Sequence, residues 1–160
     1  MLLRLIHLAQ LVITAYGATH SQAAIQNLLK YEDATKKAAK ISGEAETQLH
    51  RTRTTQASGA VALLVSFFSA ALLFFYGPSY GFLVRYLASP VVAAGVFAAK
   101  THLQDFWTGK GGNKMSPKVP LPKMDGYNEA LDRTGKLLEV LGWLTISWAA
   151  SAVVALLVGY

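Results

Sequence analysis

Uncharged apolar runs and polar, basic stretches alternate along the chain, and the alternation predicts its elements. Residues 57–76, ASGAVALLVSFFSAALLFFY, carry no charge. At ~1.5 Å per residue this run makes a helix of about 30 Å, the thickness of a bilayer's hydrocarbon core. GPSYG follows. Gly77 suits a left-handed helix end, and Pro78 cannot continue the hydrogen-bond ladder. The apolar pattern resumes over residues 81–99, GFLVRYLASPVVAAGVFAA. One helix over 57–99 would be about 65 Å long, twice the membrane thickness. The chain therefore turns back at Gly77-Pro78, giving two spans. Arg85 then lies near the turn, where its long stem can lift the guanidinium to the headgroups. Pro90 frees the carbonyl of Tyr86 and predicts a kink in the second of these helices.

Residues 1–16, MLLRLIHLAQLVITAY, are apolar with a polar stripe of Arg4, His7, Gln10 and Thr14 on roughly one helical face. The segment reaches only about 24 Å. A short retained span, an interfacial helix and a cleaved signal peptide ending near Gly17 all fit it. Residues 20–53 are polar and predict one basic amphipathic helix. Tyr31, Ala34, Ala38, Ile41 and Ala45 recur in steps of three and four, a heptad-like seam suited to docking. Glu32 with Lys36, and Asp33 with Lys37, have the spacing of helical ion pairs.

Residues 100–126 form a Pro- and Gly-rich basic loop, with Pro117, Pro120 and Pro122 favouring extended backbone. Asp125 or Asn128 suits an N-cap. A helix over 127–160 follows, and its part 140–160 is an uncharged terminal span. Trp143 and Tyr160 at its ends, with Tyr76, Tyr80 and Trp107, fit interfacial aromatic belts. Small residues four apart (Ser66 and Ala70, Ala94 and Ala98, Ser147, Ser151 and Ala155) let helix backbones approach closely.

Composition sharpens this reading. Of the 160 residues 52% are hydrophobic and 15% charged, against about 25% charged in a typical soluble domain. Residues 54–99 hold a single charged side chain, Arg85. The fold class expected is all-α: a small polytopic transmembrane bundle of three to four spans, forming one membrane domain over 1–160. Its polar amphipathic helix falls between the first and second apolar segments. Net charge is +6, and the basic residues flank the apolar runs, so membrane lipids explain them better than nucleic acid. Two basic blocks, 18–56 and 100–137, belong on one side, cytoplasmic or matrix; the 77–81 turn and C-terminus belong opposite. The membrane expected is the endoplasmic reticulum or the mitochondrial inner membrane. With no cysteine, thiolate chemistry and disulfides are excluded.

No phosphate loop, HExxH or GxSxG appears. Two residue sets remain as candidate sites. His50, Arg51, Arg53, Lys100 and His102 fall at the basic interface and suit an anionic lipid headgroup or a partner's carboxylates. Arg4, His7, Gln10 and Arg85 are polar groups at membrane depth. His50, His102 and Asp105 have the elements of a non-haem iron site, but they come from separate segments, so neither a metal nor a cofactor is expected. The function these features suggest is that of a noncatalytic integral membrane subunit or assembly factor, partnered by other membrane subunits. The alternative is a small membrane enzyme or carrier for a lipid, sterol or quinone-like ligand, with a cavity lined by Arg85, Tyr86 and the Arg4-His7-Gln10 stripe.

Overall fold

The computed structural model describes residues 1–39, 43–108 and 125–159, without the side chains of 33–39 and 43–49. Four long helices make up the described chain: α1 (Leu2–Ala39), α2 (Gly43–Tyr76), α3 (Phe82–Trp107) and α4 (Asp125–Val158). All four are long and apolar enough to cross a membrane. The protein is thus an all-α bundle with the spans of an integral membrane protein.

Two boundaries differ from the sequence reading. The polar stretch 20–53 does lie between the first two apolar segments, but it is not one helix. Its first part continues α1 to Ala39, and its last part opens α2 from Gly43. The reason is at Gly17. This glycine does not end a helix; it is buried where α1 meets two neighbours, and a β-carbon there would stand 2.7 Å from Val140 Cγ1 and 2.8 Å from Leu63 Cδ2. The small residue serves close packing. Between Arg4 and Lys30 the chain is uncharged, so α1 has the full length of a span. The seam residues Ala34, Ala38, Ile41 and Ala45, with Asp33, Lys36 and Lys37, lie outside the described side chains. Of the loop expected over 100–126, residues 100–107 belong to α3, and 109–124, with the three prolines, lie outside the described residues.

The helices run up, down, up, down, with α1 against α2 and α4, and α3 against the same two; α1 and α3 are diagonal. Buried positions recur at three- and four-residue steps. On α1 they include Leu3, His7, Gln10, Thr14, Gly17 and Ser21; on α4, Leu137, Leu141, Leu144, Trp148 and Ser151. This period is that of left-handed bundles whose side chains interlock across the seams. The α1 stripe is hard to see as a core because much of it is polar. Apolar side chains face outward instead, all round the bundle: Leu8, Phe68, Phe75, Leu83, Trp143 and Leu157 are among many exposed ones. Water would not tolerate so continuous an apolar girdle, whereas lipid requires it.

The α2–α3 turn is a single 3-10 turn, Gly77–Ser79, with Pro78 in its first turn. Gly77 does not take the left-handed conformation expected of it; among the described glycines only Gly159 has a positive φ. α3 runs on through Pro90 as one helix. α4 begins at Asp125, slightly before the expected start, with that carboxylate in its first turn, where the helix dipole favours it. Met1, Arg4, Pro78 and Val158 meet around one cavity, so the N-terminus, the turn and the C-terminal end of α4 share one end. The opposite end gathers Tyr31, Arg53, Trp107 and Tyr127.

Candidate functional site

Polar side chains lie inside the apolar girdle, and their hydrogen bonds can be followed outward from one hydroxyl. Ser151 Oγ donates to the carbonyl of Ser147 at 2.9 Å, so it accepts from Gln10 Nε2 at 3.0 Å. That fixes the orientation of the Gln10 amide. Its Oε1 then accepts from His7 Nδ1 at 2.8 Å, which places a proton on that nitrogen. His7 lies 5.6 Å from the Trp148 ring. Trp148 in turn donates its indole N–H to Ser66 Oγ at 2.7 Å. The linked side chains tie α1, α2 and α4 together, and His7, Gln10, Ser66, Trp148 and Ser151 are fully buried. These groups hold helices where lipid gives little driving force for association.

The candidate residues at membrane depth therefore separate. His7 and Gln10 belong to this core. Arg4 is exposed at the end shared with the turn. Arg85 folds back to the turn, donating from Nε to Tyr80 O at 2.6 Å and from Nη2 to Pro78 O at 2.8 Å. It satisfies turn carbonyls at the membrane edge, as a snorkelling arginine does. Since α3 is diagonal to α1, Arg85 and Tyr86 do not join the α1 stripe around one cavity.

The interfacial set disperses as well. Arg53 makes a two-pronged ion pair with the buried Glu32 of α1, its Nε donating to Oε2 at 2.9 Å and its Nη2 to Oε1. Lys100 lays its stem beside Gly142 of α4, its Nζ 3.6 Å from where a β-carbon there would sit. His102 ends a groove between α2 and α3. His50 and Arg51 are exposed. Three helix faces thus divide residues that the sequence placed at one level. Trp107 is corrected too: it is buried against Tyr127, with ring centroids 5.9 Å apart, and is no lipid-facing belt residue. Among the described residues no three His, Asp or Glu side chains come together to hold a metal ion.

Two surface features were missed in the sequence. One is a groove between α1 and α2, formed by cavities of about 190 and about 440 Å³ that meet at Ile25. Its walls mix apolar side chains such as Ile25, Leu28 and Phe67 with polar ones, among them Thr14, Ser21, Gln22, Gln26, Thr52 and Gln56, and the Glu32–Arg53 pair closes its polar end. Gln56 donates from Nε2 to Thr134 Oγ1 at 2.7 Å. The Thr134 hydroxyl donates to Ala130 O, so the Gln56 orientation is fixed and its Oε1 is left without a partner. Ser21 Oγ has none either. The other feature is a notch of about 490 Å³ between α2 and α3, where a β-carbon added at Gly95 would meet nothing within 4 Å. Apolar runs and residue spacing carry neither signal, because both depend on how antiparallel neighbours are offset. No protein-family model, curated protein or solved structure matches the chain.

Proposed function

We propose that the protein serves as a noncatalytic subunit or assembly factor of a larger membrane complex. The observation carrying this reading is the open notch at Gly95. Ala94 and Ala98 are exposed beside it, while other small residues, such as Ser66, Ala70, Ser151 and Ala155, are used inside the bundle. A small-residue face left outward lets a partner helix bring its backbone close, which is how helices associate where both surfaces are equally apolar. The candidate polar groups His7, Gln10 and Arg85 are taken up by bonds inside the bundle or by the turn, which favours a structural part over a catalytic one. The rival enzyme or carrier reading, with its Arg85–Tyr86 cavity, gains no support from residues on diagonal helices. We place the protein in the endoplasmic reticulum or mitochondrial inner membrane, its basic connectors on the cytoplasmic or matrix side, as the charge pattern favours.

Mild detergent extraction followed by mass measurement tests this. The expected result is a stoichiometric membrane partner that Gly95→Leu releases without unfolding the bundle. A wild-type monomer with no copurifying protein overturns the proposal.

A further inference from the structure

We infer that the helix filling the α2–α3 notch is α3 of a second copy of this chain. The inference rests on the reading of the notch as a helix-docking face and names its occupant. α3 is the least buried of the four spans, and Val91, Ala94, Gly95 and Ala98 are exposed on it. Two copies inserted in one membrane share an orientation, so their α3 helices run parallel about a two-fold axis along the membrane normal. Each α3 can then lie in the other copy's notch. There a β-carbon at Gly95 meets nothing, and the small Ala98 lets the backbones approach.

Charge selects a second copy over another helix. Ser58 of α2 and Ala98 and His102 of α3 line the notch. Arg51 lies seven residues from Ser58, and Asp105 seven from Ala98. Seven residues are close to two turns, so both charges continue the notch-lining faces toward the polar end. They also share a level. Arg51 stands twenty-five residues before the end of α2 at Tyr76, and Asp105 twenty-three after the start of α3 at Phe82. At ~1.5 Å per residue the two are within about 3 Å in height. Both are exposed, and among the described residues neither has an ion pair. Asp105 is rotated about 60° from His102, away from the buried Leu103, which turns it past its own α2. A two-fold interface brings position i to j and j to i. With each α3 in the other's notch, Asp105 meets the partner's Arg51 and Arg51 meets the partner's Asp105. A foreign helix offering only an acid there satisfies Arg51 and repels Asp105, and one offering only a base does the reverse.

Two variants of the full chain, mixed in phosphatidylcholine bilayers, test this, with mass read by native mass spectrometry after mild extraction. Wild type is expected as a dimer. Arg51→Asp alone and Asp105→Arg alone each self-associate roughly fivefold or more weakly, since each sets like charges together twice. Mixed with one another they recover wild-type association as a heterodimer, because each of its two contacts again joins opposite charges. A charge pair internal to one chain predicts no recovery on mixing. Ala98→Cys, in a chain without other cysteine, forms a disulfide with its own copy on oxidation. Phe97→Cys, turned about 100° from it, does not. Wild-type dimers that neither charge variant weakens, that mixing does not restore, or that Ala98→Cys fails to cross-link overturn the inference. So does a monomer bound to a different membrane protein that Gly95→Leu releases, which leaves the subunit reading standing. A lone monomer, with or without phospholipid retained at the notch, overturns both.

Discussion

Gln10 on α1 donates its side-chain amide to Ser151 Oγ on α4 at 3.0 Å, joining positions 141 residues apart in the chain. The bond is buried at both ends and relays to His7 at 2.8 Å. Gln10→Leu removes both links and leaves two polar groups facing each other across an apolar side chain. The expected loss is about 1 kcal/mol, measured by reversible unfolding in mixed detergent micelles. A cycle pairing Gln10→Leu with Ser151→Ala is expected to show a coupling of about 0.6 kcal/mol.

Glycine positions make opposite predictions. Gly17→Val drives methyl groups into Val140 and Leu63, where even a β-carbon stands under 3 Å from both. Overpacking of this kind costs about 1–3 kcal/mol. Gly135→Ala meets nothing within 4 Å and gains helix propensity of up to about 1 kcal/mol. Thermal unfolding in detergent orders the three proteins: Gly135→Ala at or above wild type, Gly17→Val below it.

The ion pair joining α1 and α2 ranks two further variants. The Glu32 side chain is 6% exposed and that of Arg53 58%. Losing the guanidinium strands a carboxylate that is far more buried than its partner. Arg53→Ala is expected to cost about 1–3 kcal/mol. Arg53→Lys recovers part of this, since an ammonium supplies charge without the planar fork. Denaturation midpoints in the order wild type, Arg53→Lys, Arg53→Ala check the prediction.

Sidedness is directly testable because the chain has no cysteine and labelling has no background. His50→Cys and Thr108→Cys are expected to react with an impermeant maleimide from one compartment. Ser79→Cys is expected to react from the other. Labelling of His50→Cys and Thr108→Cys from opposite compartments contradicts the up-down order of the helices.

The spans 57–76 and 81–99 were legible because they are uncharged and bilayer-long, and the reversal between them because no membrane accommodates their sum. α1 was legible only in part. Its inward stripe is built of His7, Gln10, Thr14, Gly17 and Ser21, residues that hydropathy assigns to a surface. The first half therefore read as a short segment and the second as a separate polar helix. The stripe's three- and four-residue spacing was the available signal, and it extends through the same residues that looked like an exposed polar edge. The division of His50, Arg53, Lys100 and His102 among different faces was not legible. Residue spacing sets depth along a helix, while rotation about its axis is decided by neighbours such as Leu63 and Val140.

The inward polar stripe also bears on how the protein is made. The first of the four candidate spans is the least apolar, and Ser151, the acceptor of its Gln10 amide, is synthesised nearly last. A newly made first helix entering lipid has its Gln10 amide N–H groups without the Ser151 acceptor, and stays so until the final helix emerges. Its stable integration must wait for completion of the chain, so truncating the gene before α4 should strand the N-terminal segment as a substrate for membrane quality control.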